Sequence, residues 1–143
     1  MPQKDDPARI PDETRLFRRI NPAQIAYDTD KNEHRPTSQN FQDSKDGTPM
    51  SVFAENVAQA NNEAPEDFLQ GQWAGFYLAA VTAGWTRQCG QDVYLDTENQ
   101  DEGDKFHSHC AVRGDKRKQK LRAKLAEQYE WIIPPPNRFD PPA

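Results

Sequence analysis

The apolar residues of this chain gather in five short clusters, near residues 15–27, 50–58, 68–95, 106–112 and 121–133, and the stretches between them are nearly all polar. A core can form only where such clusters meet, so the chain must fold through short strands and short helices joined by long polar connections. Its 143 residues suit one domain. A mean hydropathy of −1.07, with 34% hydrophobic and 29% charged residues, leaves material for one core and no more. No segment approaches the ~18–20 apolar residues of a membrane helix. The longest apolar-rich stretch, Trp73 to Trp85, is broken by Gly75, Thr82 and Gly84. The start, MPQKDDPARIPDE, lacks the apolar run of a signal peptide. A cytoplasmic protein with no membrane partner is expected. Cys89 and Cys110 are expected to be reduced thiols, and neither a CxxC nor a Cys/His zinc pattern is present.

Alternation predicts strands over Leu16–Ile20, Met50–Phe53, Asp92–Leu95, Phe106–Val112 and Trp131–Ile133, with a short extended piece at Gln24–Tyr27. Pro65 followed by Glu66 and Asp67 opens a short helix that Gly71 ends. Residues 74–89 read in two ways. One is a strand up to Val81, then a helix capped by Thr82 and stopped by Gly90. The other is a single alanine-rich helix, in which two internal glycines cost ~1 kcal/mol each. Leu121, Leu125 and Tyr129 at four-residue spacing predict a long C-terminal helix over Asp115–Tyr129. The expected fold is α+β: a small mixed or antiparallel sheet packed by that helix and one or two short ones. Residues 1–14 form a flexible arm, 15–133 the domain, and 134–143 a proline-rich tail. Polar loops cover 28–49, with Phe41 as an anchor, and 96–105.

Charge is distributed unevenly. Between residues 113 and 124 stand seven cations, Arg113, Lys116, Arg117, Lys118, Lys120, Arg122 and Lys124, and one anion, Asp115. That local balance of +6, within a chain of net charge −5, leaves −11 for everything else. Such a strip suits a phosphate-rich partner or an acidic protein face. A solvated helix face balanced by the acidic loop at 96–104 is the plain alternative.

His107 and His109 are two apart on an expected strand, which puts both imidazoles on one face, where they could share a metal. A third ligand would come from Glu98, Asp101, Glu102 or Asp104. Arg18 and Arg19, with Arg35-Pro36-Thr37-Ser38, faintly resemble ADP-ribosyltransferase folds, in which an arginine holds a dinucleotide phosphate and a late glutamate orients the ribose. Glu98 and Glu102 lack the Glu-x-Glu pattern common there. No P-loop, GxGxxG or nucleophile elbow is present, and no Ser-His-Asp set emerges.

The order LFRRINP, HRPTSQNFQD, PMSV, TAGWTRQCGQDV, HSHCAVRGDK and WIIPPP, from residue 13 to 136, resembles a group of small bacterial proteins without an assigned activity. In that group the second motif tends to read Arg-Pro-Ser-Ser followed by an aromatic; here Thr37 and a longer acidic insert at 96–104 depart from it. The resemblance implies an accessory part of a bacterial conflict or defence assembly and transfers no catalytic residue. The chain is thus expected to be a non-enzymatic interaction module or accessory subunit, without cofactor, that docks a protein partner through residues 113–124. Alternatives are an enzyme using a His-based metal site or ADP-ribosyltransferase-like chemistry, and a nucleic-acid-binding accessory protein.

Overall fold

The computed structural model describes residues 9–96 and 106–142. Along the chain it forms β1 (Arg15–Ile20), β2 (Ile25–Asp28), β3 (Glu33–Pro36), β4 (Met50–Ala54), α1 (Glu55–Ala60), β5 (Tyr77–Thr82), α2 (Ala83–Gln88), β6 (Asp92–Leu95), β7 (His109–Arg113), α3 (Gln119–Glu127) and β8 (Glu130–Ile133). Single 3₁₀ turns occur at Ser38–Asn40, Pro65–Leu69 and Gly71–Trp73. Six strands make one sheet in the order β6-β7-β4-β1-β5-β8, with every pairing antiparallel. β2 and β3 form a separate hairpin. The fold is α+β.

The sheet is covered on both faces, and strand alternation sorts the core accordingly. Leu16 and Ile20 of β1 join Val52, Val81, Val93 and Val112 on one face, where Phe41, Leu125 and Trp131 also pack. Phe17 points the other way, to Phe53, Leu78, Ala80 and Phe68. Phe41 is 1% exposed and anchors its polar surroundings as expected. The stretch 28–49 is more structured than a loop, because it holds β3 and the Ser38–Asn40 turn. Phe76, Trp85 and Leu121 are half-buried. Ile10 is 2% exposed and Arg9 bridges Tyr94, so the chain is already packed at these positions. At the other end the Arg138 carbonyl accepts from the His34 amide at 2.7 Å, and the Arg138 guanidinium meets Glu33 at 3.1 Å.

Residues 74–89 take the strand-then-helix form. The Thr82 hydroxyl accepts from the Trp85 amide at 3.0 Å, and Gly90 leaves the helix at φ +82°.

The expected long C-terminal helix is not there: α3 has nine residues, Gln119–Glu127, and α1 and α2 have six each. The first turn is lost to side chains that hold 115–118 otherwise. The Asp115 carboxylate accepts from the Arg117 amide at 3.0 Å and its guanidinium at 2.8 Å. Lys116 turns inward instead of out along a helix. No side chain caps Lys118, and the massed cations oppose the helix dipole. At the far end Tyr129 closes the last turn and Glu130 enters β8.

Candidate functional site

β4 and β7 pair with Phe53 opposite His109, Val52 opposite Cys110 and Ser51 opposite Ala111. Period two therefore puts Ser51 and His109 on the same face, one diagonal step apart, within reach of each other's side chains. Ser51 Oγ lies 2.9 Å from His109 Nε2, and His109 Nδ1 lies 3.0 Å from Asp96 Oδ2. Asp96 follows β6, and its amide extends the ladder by donating to the His109 carbonyl at 2.9 Å. For a neutral imidazole this arrangement selects the tautomer in which Nδ1 donates to the Asp96 carboxylate and Nε2 accepts from the Ser51 hydroxyl. The side chains of His109 and Asp96 are 5% and 8% exposed. The result is a serine hydroxyl, an oriented imidazole and a sheltered carboxylate in line.

The surroundings hold this line in place. Phe53 lies against the His109 ring, centroids 5.9 Å apart, and itself stacks on Phe68 at 4.3 Å. The entry to β7 is fixed by Glu63, whose carboxylate accepts from the His107 amide at 2.8 Å and the Ser108 hydroxyl at 2.7 Å.

Two cavities meet at Ser51. The larger, about 360 Å³, is lined by Arg18, Arg19, Ser51, Phe53, Trp73 and Phe76 among others. The smaller, about 140 Å³, is lined by Ser51, His109, Asp96, Thr48, Pro49 and Arg113 among others. β1 and β4 pair only through Leu16–Ala54 and Phe17–Phe53. Beyond that point the two arginines occupy the opening. Arg18 donates to the carbonyls of Asn40 and Ser51, both at 2.8 Å. Arg19 donates to the Phe68 carbonyl at 2.6 Å and lies over the Trp73 ring at 4.5 Å and the Phe53 ring at 4.8 Å.

The residues expected to form a site from sequence are largely dispersed. His107 precedes β7, which begins at His109 rather than Phe106, so period two does not relate the two histidines. His107 is 72% exposed and faces Glu63 at 3.4 Å, while His109 points to Asp96 and Ser51. Among the described residues no three His, Cys, Asp or Glu side chains stand close enough to hold a metal. Glu98, Asp101, Glu102 and Asp104 lie outside the described residues. Arg35, Thr37 and Ser38 line a different cavity from Arg18 and Arg19, near Tyr129 and Gln119.

Within the basic strip, Lys116 is 4% exposed, its ammonium bound to the Val112 and Gly114 carbonyls at 2.8 and 3.2 Å and to Asp43 at 2.7 Å. Arg117 pairs with Asp115, holding that carboxyl well below the usual carboxylate range. Arg122 donates to the Lys116 and Arg117 carbonyls at 2.7 and 2.8 Å. Lys118, Lys120 and Lys124 are exposed. Arg113 alone of the seven lines the Ser51 cavity. Cys89 and Cys110 are buried free thiols.

Sequence reasoning missed Ser51 and Asp96. They lie 45 residues apart in the chain, and only the register of β4, β7 and β6 joins them. No helix among the described residues is long and apolar enough to cross a membrane. No family model matches the chain, and neither does any curated protein or solved structure.

Proposed function

We propose that this protein is an ester hydrolase in which Ser51 is the nucleophile, His109 the general base and Asp96 the residue that orients the imidazole. The observation that carries this is the unbroken contact from Ser51 Oγ to His109 Nε2 at 2.9 Å and from His109 Nδ1 to Asp96 at 3.0 Å, ending at a serine that faces two cavities. Hydroxyl, base and orienter in this relation suit acyl transfer on any fold.

In the first step Ser51 Oγ bonds to the ester carbonyl carbon while its proton passes to His109 Nε2. Asp96 stabilises the imidazolium that forms. Arg19, sandwiched between Phe53 and Trp73 in the same cavity, offers positive charge to the oxyanion. The tetrahedral species expels the alcohol, which takes the proton from Nε2. Water then attacks the acyl-serine, with His109 again as base, and releases the acid and free Ser51.

The test is hydrolysis of p-nitrophenyl acetate by wild type, Ser51→Ala and Asp96→Asn. Wild type should turn over above background, Ser51→Ala should not, and Asp96→Asn should fall by about 10³–10⁴ because the imidazole loses its orientation. Equal rates in wild type and Ser51→Ala would remove the assignment.

A second role is favoured by one observation: Lys118, Lys120 and Lys124 remain exposed on or beside α3. They suit docking to an acidic protein face or to nucleic acid. The motif resemblance supports a bacterial setting, with the protein an accessory part of a larger assembly. Charge reversal at these three positions should lower the salt needed to elute the protein from heparin. Unchanged elution would count against docking there.

A further inference from the structure

Arg113 is the last residue of β7 and shares a sheet face with His109 and Ala111. Its cross-strand neighbour is Asp92 on the edge strand β6. That carboxylate is already engaged, accepting from the Tyr94 hydroxyl at 2.9 Å, the Val93 amide at 2.9 Å and Arg87 at 3.2 Å. Burial, which alone would raise the Asp92 carboxyl, is outweighed by these bonds, and its pKa lies below the usual value. Among the described residues the Arg113 guanidinium makes no side-chain hydrogen bond or ion pair, although it lines the cavity of Ser51, His109 and Asp96. Among the described residues it is the one Lys or Arg lining that cavity. Among the described residues Asp96 is the one carboxylate lining it, and His109 holds it.

The backbone fixes where Arg113 stands. Gly114 follows at φ +148°, and a Cβ there would come within 2.4 Å of Gln91 Oε1. Gln91 in turn donates to the Asp115 carbonyl at 3.0 Å. The end of β7 is therefore clamped. Ser51 lies opposite Ala111, so Arg113 is one same-face step further on, about 7 Å along the strand.

We propose that Arg113 is the specificity-determining residue of this site and that the substrate is an ester whose acyl chain ends in a free carboxylate. This deepens the hydrolase assignment and rests on it. The planar guanidinium fork matches a carboxylate in bidentate fashion. Arg113 stands only one same-face step beyond the position opposite Ser51, so the acyl chain proposed is a short one, of the succinyl or glutaryl class.

The experiment compares kcat/KM for mono-p-nitrophenyl succinate, mono-p-nitrophenyl glutarate and neutral p-nitrophenyl butyrate, in wild type, Arg113→Gln and Arg113→Lys. Wild type should prefer an anionic ester over the neutral one by about tenfold or more, as a charge-assisted bond gives. The preference should vanish in Arg113→Gln, return in part in Arg113→Lys, and shrink as salt rises. Hydrolysis of all three esters without an anionic preference, or with a preference that survives Arg113→Gln, would overturn the role of Arg113 and leave the hydrolase assignment standing. No Ser51-dependent hydrolysis of any of them would overturn both.

Discussion

Lys116 is buried, with 4% of its surface exposed, and its three ammonium hydrogens find three acceptors. Asp43 also accepts from the Met50 amide at 2.9 Å, so this one side chain ties the end of β7 to the loop that leads into β4 and Ser51. Lys116→Met should cost about 2–3 kcal/mol in urea unfolding, since it strips a buried hydrogen-bonded pair of one partner. Lys116→Glu should cost more, because it sets a second carboxylate against Asp43. Full stability of both variants would contradict the assigned role. Nothing in the sequence separates Lys116 from Lys118 or Lys120. Its inward turn depends on the nearby Val112 and Gly114 carbonyls and on Asp43, a carboxylate far off in sequence.

Cys110 is the second case at this scale. Loss of solvation pushes its thiol up to about 12. Below about pH 9 both folded and unfolded chains hold the proton, and the group has no effect on stability. Between about 9 and 12 the unfolded chain alone releases it, so stability falls as pH rises. The urea midpoint should drop from pH 7.5 to 10.5, and drop less in Cys110→Ala. An equal drop in both would show that Cys110 is not the cause.

Among the elements, strands were legible where alternation was strong. β1, β4, β6 and β8 emerge within a residue or two of their observed ends, and Thr82 with Gly90 frames α2 as cap and stop. What misled was charge. A run of lysines and arginines reads as helix by propensity, yet its first turn is spent on an Asp115–Arg117 pairing and a buried lysine. His107 was misplaced for a related reason: Glu63, far off in sequence, holds residues 107 and 108 in a turn. The Pro65–Leu69 turn has the clearest structural task. It carries Phe68, fully buried, onto Phe53 and Phe106, with ring centroids at 4.3 and 4.7 Å. Phe68→Ala should lower unfolding stability by about 3–5 kcal/mol. A loss under 1 kcal/mol would mean that the aromatic cluster does not support the face on which Ser51 and His109 sit.

For the molecule as a whole, the pattern of strands and helices foretold an α+β fold, and the described residues form a six-stranded sheet with both faces covered and a separate β2-β3 hairpin. The candidate site was legible only in part. His109 was singled out, with His107 for a metal, and its ring meets Asp96 and Ser51; Arg113 was singled out within the basic strip, and it lines the cavity of Ser51. Ser51 and Asp96 carry no local signal, because a serine inside MSVF and an aspartate after YL are ordinary until strands 51, 96 and 109 residues into the chain are set side by side. Topology makes the site, and one measurement tests it most directly. Intact-mass analysis after exposure to a fluorophosphonate should show one phosphonyl adduct per chain, mapped to Ser51, and none in His109→Gln with its fold intact. Absence of an adduct on the folded wild type, or an adduct on Ser51 that forms equally fast in His109→Gln, would contradict the account.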